Sequence, residues 1–73
     1  MDEVVEAVIS AARNRGWDTV RSLFHPYVHW YDPHHDEVRG RNNVLELLQR
    51  GNGLVAPSAF ELRDGQIYRW WSR

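Results

Sequence analysis

All four histidines of this 73-residue chain lie within HPYVHWYDPHHDEVRGR, residues 25–41, alongside three acids and two arginines. Imidazoles and carboxylates bind metals and move protons near neutral pH, so both chemistries must be weighed. Zinc requires three or four ligands converging in a tetrahedron. His25 and His29 are four apart, but Pro26 lies between them and they straddle a predicted helix end and strand. They therefore share no helical face. His34 and His35 are adjacent in a predicted turn, where both can be solvated. The spacing predicts no metal site and no cofactor.

Asp32 and Arg69 form the more promising pair. Alternation along YVHWYD puts Val28, Trp30 and Asp32 on one strand face, with Tyr27, His29 and Tyr31 on the other. In the C-terminal strands, Arg69 shares a face with Phe60, Leu62, Ile67 and Trp71. A lone charge on a core-facing row is costly to desolvate, so such charges are expected in pairs. Asp32 oriented by the Arg69 guanidinium suits proton transfer or water activation, with Trp30, Phe60, Ile67 and Trp71 lining a ligand pocket. The plainer alternative, preferred on the sequence, is a buried or edge salt bridge. Arg39 and Arg41 offer an anion site at a helix start, or they pair with Asp36, Glu37 or Glu46.

The remaining composition removes whole classes of activity. Nine arginines meet ten acids, for a net charge of −1, which argues against a general nucleic-acid binder. There is no lysine, so Schiff-base chemistry, PLP anchorage and a P-loop are excluded. The lack of cysteine removes disulfides, thiolate zinc sites and thiol nucleophiles. No apolar run approaches the ~20 residues of a membrane span, and Met1-Asp2-Glu3 is acidic where a signal peptide would be basic. The expectation is a cytoplasmic protein with neither nucleic acid nor membrane as partner.

Positioning these residues falls to a single predicted domain, 1–73. A chain this short buries only ~60% of its unfolded surface, so aromatic bulk or self-association must supplement a thin core. Val4, Val5, Val8, Ile9 and Ala12 predict a helix over 3–15, capped by Asp2. A second runs from Asp18 to about Phe24, and Pro26 ends it. Strand 27–32, a turn at DPHHD and a return strand 37–39 lead to a third helix from about Asn42 to Gly51. FELRDGQIYRWW then reads as two strands around Asp64-Gly65, pairing Leu62 with Ile67, Glu61 with Tyr68 and Phe60 with Arg69.

In order, LFHPYVHWYDP, VRGRNNVLELL and ELRDGQIYRW resemble the SnoaL-like branch of the NTF2-like (nuclear transport factor 2-like) superfamily. The resemblance implies an α+β fold: three helices on one face of a curved antiparallel sheet of about four strands, a truncated cone. It also implies a small-molecule pocket, commonly with dimerisation through the sheet. Some members are isomerases, cyclases or epoxide hydrolases, and they often use a pocket carboxylate near the first strand. Members usually carry a further strand pair between the third helix and the last hairpin, where this chain has only GNGLVAPSA.

Two functions follow from different classes. One is a small-molecule-binding protein, or minimal acid/base enzyme, that holds a small apolar ligand at Asp32. The other is a non-catalytic homodimerisation module that keeps the fold without an enclosed pocket. An apolar pocket of at least ~300 Å³ with Asp32 at its floor would favour the first. The expected dimer buries the outer sheet face through His29, Tyr31, Glu61, Arg63, Tyr68 and Trp70.

Overall fold

The computed structural model describes residues 2–32, 35–51, 54 and 56–72, with only the backbone at 35 and 36. The elements run α1 (Glu3–Arg13), α2 (Trp17–Leu23), β1 (Phe24–Asp32), β2 (His35–Arg39), α3 (Arg41–Arg50), β3 (Ala59–Arg63) and β4 (Gln66–Trp71). The Asp2 carboxylate caps α1 by accepting the Val4 N–H at 2.7 Å. Arg15, at φ 58°, turns the chain out of that helix, which therefore stops two residues short of the predicted end. Gly40, at φ 91°, links β2 to α3 in a conformation that side chains resist, and its N–H donates to the Val28 carbonyl. Asp64 and Gly65, both at positive φ, make the tight β3–β4 turn that their sequence demands.

The three helices pack against a four-stranded sheet of order β2-β1-β4-β3. Both hairpins are antiparallel, but β1 and β4 pair in parallel. This corrects the expected curved antiparallel cone: the sheet is mixed and open, neither curled nor closed. The connection through α3 carries the chain from β2 at one edge to β3 at the other. The second hairpin then sets β4 beside β1 in the same direction, and β2 and β3 remain as edges.

A second correction concerns register. Leu62 faces Ile67 as read, but Glu61 then faces Arg69, Phe60 faces Trp70 and Ala59 faces Trp71. Tyr68 is the additional residue of a β-bulge. One extra residue reverses the facing of everything beyond it. Without the bulge the Arg69 guanidinium would point into the core. With it, the Trp70 indole is buried instead, fully inaccessible, and stacked on Trp30 at 5.1 Å with Phe24 edge-on to that pair's Trp30. Val5, Val8, Val20, Val44 and Leu45 complete this core from the helices. Arg69 and Trp71, assigned to the inner face from alternation, lie on the outer one. Trp70, assigned to an outer dimer face, lies in the core.

Candidate functional site

The helix side of the sheet holds a cleft of about 150 Å³, lined by Trp30 and Asp32 of β1, Leu47 and Leu48 of α3, then Gly51, Leu54 and Ser72. The Ser72 N–H donates to the Tyr31 carbonyl at 2.8 Å, which fixes the end of β4 beside β1 where Asp32 stands. Asp32 is half-buried, in a wall otherwise dominated by apolar side chains. Trp30 is 1% exposed, and its indole N–H has no acceptor among the described residues. A buried donor left unmade carries a desolvation penalty of roughly 1–3 kcal/mol, so this one favours an acceptor if one can reach it.

Of the predicted pocket residues, the structure brings Trp30 and Asp32 to the cleft. Ile67 is sealed in the core and Phe60 packs against it. Trp71 stacks on Tyr31 across the outer face, with ring centroids 4.9 Å apart. Asp32 and Arg69 are not brought together. The Arg69 guanidinium lies on the outer face over the Tyr68 ring, and its Nη1 donates to Glu61 at 3.3 Å. The sequence reading missed Leu54 and Ser72, which belong to no periodic pattern. Leu47 and Leu48 line the cleft from α3, and nothing in their sequence spacing signals that they face a cavity.

The outer face carries a charged and aromatic network centred on Tyr68. His25 and His29 approach its ring at 5.2 and 5.3 Å, and the Arg63 guanidinium lies 5.1 Å from the centroid. Both histidines thus sit on β1 and meet at one ring, where the sequence had separated them. His29 Nδ1 and Glu37 Oε2 are 2.5 Å apart, and Arg39 Nε donates to the same oxygen at 3.0 Å. The His29 hydrogen bond, assisted by Arg39 and opposed by desolvation, lowers the Glu37 pKa below its ordinary 4.5. Arg39 therefore serves an acid on its own strand. Among the described residues, no three His, Asp or Glu side chains converge as metal ligands. No helix among them is long and apolar enough to cross a membrane.

Residues 1–70 match the SnoaL-like domain family, and the chain belongs to it. Its fold is that of the wider NTF2-like superfamily. It is similar to a putative ketosteroid isomerase from Kribbella flavida, with a TM-score of 0.76 and 18% identity over 90% of this chain and 70% of that one. An LEH-like epoxide hydrolase from M. tuberculosis is similar with a TM-score of 0.72 and 20% identity, over 93% and 77% of the two chains. An NTF-2-like protein of unknown function from Burkholderia xenovorans gives 0.67 and 15%, over 92% and 76%. No curated protein matches the chain.

Proposed function

We propose that this protein binds a small, largely apolar molecule in the cleft between β1 and α3, with Asp32 orienting it and acting as acid or base on a reactive ligand. One observation carries the reading: a carboxylate stands in a wall whose other large side chains are Trp30, Leu47, Leu48 and Leu54, with Gly51 and Ser72 completing it. The volume of about 150 Å³ is half the ~300 Å³ at which ordinary ligand pockets begin. It suits a ligand about the size of benzene. Isomerisation and epoxide opening, the activities in the names of two similar structures, are both served by a carboxylate. An isomerase-, cyclase- or epoxide-hydrolase-like role therefore belongs to the proposal. Arg69 has no part in it, since it lies across the sheet. The reading keeps the cytoplasmic location expected from the sequence.

The test is a panel of small alcohols, ketones and epoxides of about five to eight heavy atoms, assayed by calorimetry and by turnover. Wild-type protein is expected to bind at least one member, Asp32→Asn to bind it about tenfold more weakly, and Leu47→Phe, which fills the cleft, not at all. Binding that survives Leu47→Phe unchanged would move the site elsewhere.

A second reading, the homodimerisation module, is favoured by the same small volume, because the cleft falls short of an ordinary active site. It assigns self-association through the sheet to outer-face residues His29, Tyr31, Glu61, Arg63 and Tyr68, without Trp70. Sedimentation equilibrium gives the direct test: a protein that remains monomeric throughout the concentration range removes this reading.

A further inference from the structure

We infer that two copies of this chain associate edge to edge through β3, extending the sheet from four strands to eight. The inference rests on the homodimer reading for self-association itself, and places the contact at the β3 edge instead of across the outer face. β3 is an edge strand, so one side of its backbone has no ladder partner among the described residues. The bulge in the β3–β4 pair places its extra residue on β4, at Tyr68, so β3 itself runs regularly from Ala59 to Arg63. Leu62 is one of two large apolar side chains that stand exposed among the described residues, at 39%.

A twofold axis perpendicular to the sheet would pair β3 with its copy in antiparallel fashion and keep each residue on its own face. Same-face partners then require registers centred on a residue. Centring on Leu62 sets Leu62 opposite Leu62 of the second copy, on the helix side. The same register sets Glu61 opposite Arg63, and Arg63 opposite Glu61, on the outer face. Opposite charges two residues apart thus make the strand complementary to itself, where like charges would repel a twofold copy. Centring on Glu61 would instead oppose two carboxylates. The charges therefore select one register.

The other edge is less available. β2 has a comparable Glu37–Arg39 pattern, but Glu37 is held by both His29 and Arg39 of its own chain. The Arg39 carbonyl is occupied by the side-chain amide of Asn43 at 2.9 Å, so α3 caps the end of that edge. Val38 is half-buried against the core. By contrast Glu61 meets Arg69 only at 3.3 and 3.4 Å, half-exposed, and Arg63 rests on Tyr68. Five residues of edge make a small contact, of the transient class.

The chain has no cysteine, so single cysteines report on single contacts. Under oxidation, full-length Leu62→Cys is expected to form a covalent dimer, because directly opposed strand residues lie within disulfide reach. Tyr27→Cys, at a position 73% exposed on the outer face, is expected to stay monomeric. In sedimentation up to about 1 mM, Arg63→Glu and Glu61→Arg should each weaken self-association at least tenfold, and an equimolar mixture should restore it as a heterodimer. Cross-linking of the Tyr27→Cys variant, or a dimer that ignores both charge variants, overturns the edge contact while leaving the homodimer reading intact. A wild-type monomer throughout that range overturns both.

Discussion

The two faces of β4 meet opposite environments. Toward the helices stand Ile67 and Trp70, both fully buried in a core whose two indoles stack nearly parallel. Toward solvent stand Tyr68, Arg69 and Trp71, partly exposed and held by ring and charge contacts. Adjacent tryptophans are thus in opposite environments. Burial on the helix side removes apolar area from water at about 25 cal/mol per Å². Charge pairs on the outer side exchange hydration for contacts of nearly equal worth. The inner layer accordingly sets stability and encloses the cleft, and the outer layer sets the charge pattern that a neighbour would meet.

Substitutions on the two faces should therefore differ widely in cost. The largest effect is expected at Trp70→Ala, which opens a cavity between Trp30 and the helices. A loss of about 3–5 kcal/mol in urea unfolding would leave so short a chain largely unfolded. Trp71→Ala, one residue away, removes a surface stack on Tyr31 and should cost about 0.5–1.5 kcal/mol. A larger loss at Trp71 than at Trp70 would mean that the bulge at Tyr68 is absent in solution.

Comparing acid titration of wild type and Glu37→Gln addresses the outer face. The folded-state pKa of Glu37 is depressed, chiefly by His29, so its stabilising contribution is complete above the ordinary value of 4.5. That contribution is lost as the pH falls below 4.5 through the depressed value. Wild-type stability should therefore decline across that window more steeply than that of Glu37→Gln. Smallest of all, Glu61→Gln should change monomer stability by no more than about 0.5 kcal/mol, since both partners of its pair are substantially exposed.

Much of the fold was legible because its signals are local. The Asp2 cap, the Pro26 stop and the Asp64-Gly65 turn act on their own few residues, and the strand and helix periods follow from single elements. The bulge is different in kind. It depends on whether Arg69 or Trp70 suffers burial, a contest decided by helices distant in sequence, so alternation alone misassigned Arg69, Trp70 and Trp71. Strand order was hidden for a similar reason: the parallel contact of β1 with β4 joins segments more than 30 residues apart. At the candidate site, Asp32 and Trp30 were found from alternation along β1 alone, although the ladder with β2 shifts register between them. Leu54 and Ser72 reach the cleft from irregular segments, where no period marks a residue as inward-facing.

The open sheet keeps an accessible, mostly apolar cleft on its helix side, with Asp32 in its wall. The most direct measurement is a benzene titration followed by NMR at the Trp30 indole N–H and the methyls of Leu47, Leu48 and Leu54, with Tyr68 and Trp71 as outer-face references. The account predicts saturable shifts at Trp30 and the three leucines, little change at Tyr68 and Trp71, and loss of the response in Leu47→Phe. Shifts absent at Trp30, or equally large on the outer face, would contradict it.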